Sequence, residues 1–220
     1  MVSSLMGKAS YFLDAGLFVA KKHILGYEVG FEPTFQPAGL AIFRSIIEKT
    51  STYLEYGSGG STIVASRYVN TLVSVESDPV FRRAVEKAMP PTKAELHLLS
   101  PYIGVTARWG TPVFGRPTES RIARWQRYPQ APWSILKTKE PNTILIDGRM
   151  RVACALESLL HVSSETRLLV DDYVGRNYSA IEEFADLIAI HGVMAEFRKK
   201  RSFDQQRCRT ALNLSYSDLR

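Results

Sequence analysis

This sequence predicts an α/β protein built on a doubly wound, mostly parallel, seven-stranded sheet. Short runs rich in Val, Ile and Leu alternate with amphipathic helical segments, the pattern of strands joined by helical crossovers. A glycine turn, Gly57-Ser58-Gly59-Gly60, follows the first such run. Acids close later runs: Glu76, Asp147 and the pair Asp171-Asp172. Ligands in such sheets lie outside the carboxyl ends of the strands, so the turn and the acids are expected to share one edge.

Residues 1–37 form a helical N-terminal arm. Its apolar residues run at helical spacing to Leu25, and Gly26, Gly30, Pro33 and Pro37 then break regularity. The arm is too short and too interrupted (Asp14) to span a bilayer, and Lys21-Lys22 follow the apolar stretch rather than precede it, the wrong order for a secretory signal. No integral membrane association and a cytoplasmic location are expected. Residues 38–220 form the α/β domain, with an insertion at 100–140 over the cleft.

A helix starts at Pro37, with Leu40, Phe43, Ile46 and Ile47 on one stripe. The first strand is 53–56, and a helix follows the glycine turn to about 69. The second strand is 71–76. Asp78-Pro79, an N-cap acid before a first-position proline, opens a helix to 88. Strands follow at 95–99 and 142–147, a helix at 150–160 and a strand at 167–171. A helix is expected at 178–190, a strand at 193–197, and a last, antiparallel strand at 209–215 after a turn at 204–207. The insertion holds all three tryptophans, Trp109, Trp125 and Trp133, and five arginines, Arg108, Arg116, Arg121, Arg124 and Arg127. Within it, 117–128 has the spacing of a helix with Ile122 and Trp125 inward.

The glycine turn narrows the ligand. A dinucleotide fingerprint needs a third glycine where Thr62 stands, and a P-loop needs a lysine that is absent here. The acid before the turn, Glu55 in Glu55-Tyr56-Gly57-Ser58-Gly59-Gly60, and the acid closing Val73-Ser74-Val75-Glu76 resemble motif I and the following acidic motif of class I S-adenosylmethionine-dependent methyltransferases. The segments 103–112 and 145–154, with Asp171-Asp172-Tyr173, are similar to a group of bacterial methyltransferase-like proteins. The resemblance implies a Rossmann-like fold and S-adenosylmethionine as cofactor. It places Gly57, Ser58 and Gly59 against the cofactor backbone and Glu55 near its amino group. Glu76 falls on the ribose hydroxyls and Ser100 beside the adenine.

The remaining chemistry is that of methyl transfer, an in-line displacement governed by positioning. Asp147 and Asp172 are the candidate catalytic bases. Arg149, Trp109 and Tyr173 are the candidate acceptor-binding residues. Similarity to catechol-type enzymes makes Asp147, Asp171 and Asp172 candidate ligands of a divalent cation, Mg or Mn; the alternative is that Asp147 caps the helix starting at Arg149 while Asp171 or Asp172 pairs with Arg149 or Arg151. His97, His161 and His191 are structural, and two isolated cysteines, Cys154 and Cys208, are free thiols. No Asn-Pro-Pro-Tyr-type motif follows the fourth strand, which disfavours methylation of a base or amide nitrogen. The expected function is O-methylation of a small-molecule or saccharide acceptor. The formal charge of +6 and the arginines keep two alternatives open, an RNA-directed methyltransferase and a non-catalytic S-adenosylmethionine-binding module. The oligomeric state stays open.

Overall fold

The computed structural model describes residues 2–220, with side chains from residue 11 onward. Seven strands form one sheet: β1 Thr52–Tyr56, β2 Thr71–Val75, β3 Glu95–Leu99, β4 Thr143–Ile146, β5 Arg167–Val170, β6 Ala185–His191 and β7 Met194–Lys199. Their spatial order is β3-β2-β1-β4-β5-β7-β6. β1 pairs in parallel with β2 and with β4, β2 with β3 and β4 with β5; β7 runs antiparallel between β5 and β6. The chain winds outward from β1 to β3, then crosses back to β4. The order therefore reverses between β1 and β4, and the crevice at that reversal is where a doubly wound sheet receives ligands.

Helices α1 Val2–Leu25, α2 Pro37–Ile47, α3 Gly60–Ala65, α4 Pro79–Ala88, α5 Glu119–Trp125, α6 Arg127–Gln130, α7 Arg151–His161 and α8 Gln205–Ser215 surround the sheet. Strand residues alternate between its faces. Leu54, Tyr56, Val73, Val75, Ile144, Ile146, Leu168 and Val170 pack with Trp125, Tyr128 and the buried sides of α7 and α8. Tyr53, Leu72, Leu145 and Leu169 pack on Phe43, Ile46 and Ile47 of α2 and on Val64 and Ala65 of α3. The predicted helix start at Asp78 is present, with Asp78 accepting from the Val80 amide at 2.9 Å.

Two expected elements change type. Residues 178–190 are not a helix: a short 3-10 turn, Ser179–Glu183, leads into edge strand β6. Gly192, at φ 68°, begins the two-residue loop that brings His191 opposite Met194, a glycine-led hairpin turn. The strand expected at 209–215 is instead helix α8. Asp204 caps it by accepting from the Arg207 amide at 3.0 Å, and Cys208, Leu212 and Tyr216 supply its buried side. The antiparallel strand of the sheet is β7, not 209–215. Helix α8 packs on α7, where the Tyr216 hydroxyl donates to Glu157 at 2.9 Å.

A buried cation helps fasten the arm to the domain, beside Tyr27, whose ring packs on Phe81 and whose hydroxyl lies 3.1 Å from Asp78, and Phe18, under the Arg108 guanidinium. Lys22 is buried on α1 and its Nζ donates to Asp78 at 2.6 Å, to the Thr106 carbonyl at 2.7 Å and to the Thr106 hydroxyl at 2.9 Å. Burial alone would raise the Asp78 pKa; the Lys22 bond and charge outweigh it and hold the carboxyl below its usual value. No helix among the described residues is long and apolar enough to cross a membrane.

Candidate functional site

Glu55 organises the glycine turn from beneath. It is fully buried on β1, on the face covered by α2 and α3. Its Oε2 accepts from Tyr53 at 3.0 Å and Ser61 at 2.8 Å. Its Oε1 accepts from Ser74 at 2.7 Å and from the Thr62 hydroxyl. A carboxylate has about four acceptor sites, and four hydroxyls fill them. The expected contact between Glu55 and a cofactor amino group therefore has no free oxygen to make. Burial raises the Glu55 pKa, and the four hydroxyls oppose the rise. Thr62 also accepts from the Gly59 amide at 2.8 Å. The residue that breaks the dinucleotide fingerprint is thus the one that ties the turn to the sheet.

The glycines have separate jobs. Gly57 has φ 98°, and a Cβ there would lie 2.7 Å from the Gly148 amide nitrogen; the turn and the loop after β4 are in backbone contact. A Cβ on Gly60 would run into the Glu32-Pro33 backbone of the arm. Gly59 is extended, and nothing lies within 4 Å of the Cβ it lacks. It is the open position of the turn.

Glu76 faces this opening from the end of β2. It is only 6% exposed. Its Oε2 accepts from the Ser58 amide at 3.2 Å, and its Oε1 from the Asp78 amide at 2.8 Å and the Ser77 hydroxyl at 3.1 Å. Burial pushes its pKa up to about 7 against those three bonds. The Ser100 hydroxyl donates to the Glu76 carbonyl at 2.9 Å, so Ser100 braces the strand end. The Ser77 hydroxyl is also 3.2 Å from the Gly110 carbonyl, at the tip of a turn closed by amide bonds from Ala107 to Thr111 and from Val113 to Val105. At that tip Trp109 is left-handed, φ 58°, and 87% exposed. Its indole projects into solvent and lines no described cleft.

Across the crevice, the loop after β4 carries Asp147, with a third of its side chain exposed. Burial pushes its pKa up to about 7; Arg151 pulls it down, while Asp171, Asp172 and Glu55 add to the rise. The Arg151 Nη2 donates to Asp147 at 3.1 Å and lies 3.8 Å from Asp172. Its Nε reaches the Gly148 carbonyl at 3.2 Å, and its Nη1 the Asp171 carbonyl. A guanidinium therefore occupies the space between these acids, four residues along from Asp147 and at the first residue of α7. Among the described residues no three His, Cys, Asp or Glu side chains are arranged to hold a metal. The acids expected to hold a divalent cation, Asp147, Asp171 and Asp172, are instead gathered around Arg151. Asp171 Oδ1 is buried without a donor, with the Asp147 carboxyl in hydrogen-bonding reach, and burial followed by the Asp172 charge raises the Asp171 pKa.

The other expected site residues divide. Asp172, left-handed at φ 52°, turns towards solvent and pairs with Arg176 at 3.3 Å. Tyr173 does not line the cleft: its ring packs in the core against Tyr178 and Phe197, and its hydroxyl donates to Glu182 at 2.5 Å. Arg149 lies beside Asp147 with its Nε buried and unbonded. Each histidine named from the sequence sits against a glutamate: His97 with Glu95, His161 with Glu157 and His191 with Glu196. Sequence reasoning missed Tyr128. Fully buried in α6, it donates to the Val75 carbonyl at 3.1 Å, and a Cβ on Gly148 would strike its hydroxyl. It wedges the ends of β1, β2 and β4 together, and nothing in its local sequence announces that.

Two cavities of about 190 and 340 Å³ lie away from this crevice, one between α7 and α8 and one beneath the 102–114 segment. The glycine turn, Glu76 and Asp147 follow directly on the carboxyl ends of β1, β2 and β4.

A solved structure of a methyltransferase-like protein from Silicibacter pomeroyi is similar to this chain, with a TM-score of 0.74 and 31% sequence identity over 86% of this chain and 100% of that one. No family model and no curated protein matches. Identity at this level over nearly the whole length joins the strand order and the glycine turn in one conclusion: the chain belongs to the family of methyltransferase-like proteins.

Proposed function

We propose that the chain is an S-adenosylmethionine-dependent methyltransferase that acts on a hydroxyl group of a small molecule or saccharide. The observation that carries this is the placement of Glu76 after β2 and Asp147 after β4, on either side of β1 and its glycine turn, each with its carboxyl pushed up to about 7. One is a buried acceptor beside the glycine turn. The other is a reachable base at the end of β4.

The residues fit the cofactor. Gly59 leaves space for a ligand to lie against backbone. Three of the roughly four acceptor sites of Glu76 are taken, which leaves one for a ribose hydroxyl. When bound, the cofactor supplies a methyl group made electrophilic by its sulfonium sulfur. Gly57 and Ser58 fix the path of the turn, and Ser100 holds the Glu76 backbone. Asp147 accepts the proton of the acceptor hydroxyl as that oxygen attacks, and a base of pKa near 7 suits that task. Arg151 fixes the rotamer of Asp147 and stabilises its ionised form. Arg149, with no carboxylate partner among the described residues, orients an acidic group on the acceptor.

Titration calorimetry with S-adenosylhomocysteine tests the cofactor. The wild type is expected to bind, and Glu76→Ala to bind at least about tenfold more weakly. Asp147→Asn is expected to keep that affinity and to lose methyl transfer to hydroxylated acceptors, by about a hundredfold or more. Wild-type turnover should rise as pH passes through about 7, where Asp147 loses its proton. No binding of S-adenosylhomocysteine by the wild type would sink the proposal.

A further inference from the structure

The insertion encloses chemistry that the crevice does not use. Between residues 102–114 and α5 lies the cavity of about 340 Å³, lined by Tyr102, Val105, Phe114, Ser120, Arg121 and Arg124 among others. That volume is within the range that holds a small ligand. Arg121 and Arg124 are three apart on α5 and so project to the same side. Each guanidinium is seated on a ring: Arg121 lies 5.5 Å from the Phe114 centroid and Arg124 lies 5.2 Å from that of Tyr102. The rings hold the cations in place. Arg121 spends one bond on the Arg116 carbonyl at 2.9 Å. Among the described residues neither arginine has a carboxylate within ion-pair distance, whereas Lys22, Arg82, Arg151 and Arg167 each do. The surroundings do not neutralise them either: residues 101–139 hold five arginines and two lysines against one acid, Glu119.

Two planar, oriented and unneutralised guanidinium groups at one cavity are a recognition device for an oxyanion. We propose that this cavity binds the phosphate or carboxylate group of a small molecule. On the methyltransferase reading above, on which this last step rests, that molecule is the methyl acceptor. The connection to the crevice is the turn of residues 105–113. Val105, Pro112 and Phe114 at its base line the cavity, while the Gly110 carbonyl at its tip lies 3.2 Å from the hydroxyl of Ser77, beside Glu76. A ligand anchored by Arg121 and Arg124 therefore presses on the element that borders Glu76. Two guanidinium groups on one cavity of about 340 Å³ match the size of a small anion.

The test is calorimetry on the full chain with inorganic phosphate and pyrophosphate, at low and moderate salt. The wild type is expected to bind pyrophosphate with an affinity that falls as salt rises. Arg121→Met with Arg124→Met should weaken it at least about tenfold, and Arg121→Lys with Arg124→Lys should fall between, because lysine keeps charge but loses the fork. Affinity for S-adenosylhomocysteine and the unfolding midpoint should be unchanged in the lysine variant. Pyrophosphate binding that survives the double methionine substitution, or that the wild type lacks, overturns the proposal. So does binding of a single-stranded oligoribonucleotide that pyrophosphate does not displace. If pyrophosphate binds through these arginines while S-adenosylhomocysteine does not bind, the anion site stands and the methyltransferase reading falls.

Discussion

Gly57 and Gly59 are two residues apart and have opposite reasons to be glycine. Gly57 combines φ 98° with backbone contact to Gly148, so a side chain is excluded by conformation and by space. Gly59 is extended and open, so only a ligand would object to a methyl group there. Gly57→Ala is expected to cost about 2–4 kcal/mol of stability, the sum of a strained backbone and a forced displacement. Gly59→Ala should leave the urea midpoint within about 0.5 kcal/mol of wild type and weaken S-adenosylhomocysteine binding. Equal losses of stability in the two variants would remove the distinction. The same scale shows what the sequence could say of the site. Glu76 and Asp147 were legible because an acid at the end of a β-branched run has one expected place in a parallel sheet. Glu55 was legible as a position but not as a role, because its four hydroxyl partners come from three different elements. Arg151 bonds Asp147 at 3.1 Å, a contact that the sequence, with Asp147 as a metal ligand or a helix cap, did not single out.

At the scale of elements, β1 to β5 and α7 lie where the apolar runs put them, and the two misread segments share a cause. In 178–190, Ile181, Phe184 and Ile188 fall at helical spacing, yet Ile188 is 54% exposed. Pairing with β7 and the Gly192 turn decided the backbone instead, a tertiary override of local pattern. In 209–215, Leu212 and Leu214 alternate like a strand, but only Leu212 is buried; Leu214 is 75% exposed. The informative spacing there was Cys208, Leu212 and Tyr216, together with the Asp204 cap. For the arm, the buried polar contact is the Lys22 ammonium. Removing one partner of a buried ion pair leaves the other desolvated. Lys22→Met is expected to cost about 3 kcal/mol and to release α1, seen as faster proteolytic cleavage before residue 30 with the sheet still folded. Unchanged cleavage would mean that Phe18 and Tyr27 hold the helix without it.

For the whole molecule, the buried acids of the crevice set the pH dependence of stability. Glu76 and Asp147 have folded pKa values raised to about 7, and burial raises Glu55 and Asp171 as well. Between the ordinary carboxylate range and pH 7 the folded chain holds protons that the unfolded chain has lost. The native state therefore binds more protons, and stability falls as pH rises. The contribution is fully present below about pH 4 and is gone above the folded values. Without cofactor, the melting temperature should decline from pH 5 to pH 8, and Asp147→Asn should flatten that decline by about 2–4 °C. A melting temperature that climbs over this interval would contradict the assignment of raised carboxyls. Asp78 and Glu140, held below their usual values, act in the opposite sense only in more acidic solution.

The exposed Trp109 has an optical consequence. Trp125 is sealed in the core with its indole bonded to the Ile103 carbonyl at 3.1 Å, and Trp133 stacks on His161 with ring centroids 4.5 Å apart. The three indoles of the chain thus sit in three distinct dielectric surroundings. Only one is fully open to a collisional quencher in water. Its emission belongs to the tip that touches Ser77 on one side and leads down to the arginine-lined cavity on the other. The long-wavelength edge of the protein's own fluorescence is a built-in gauge of whatever moves that tip, and it needs no attached dye.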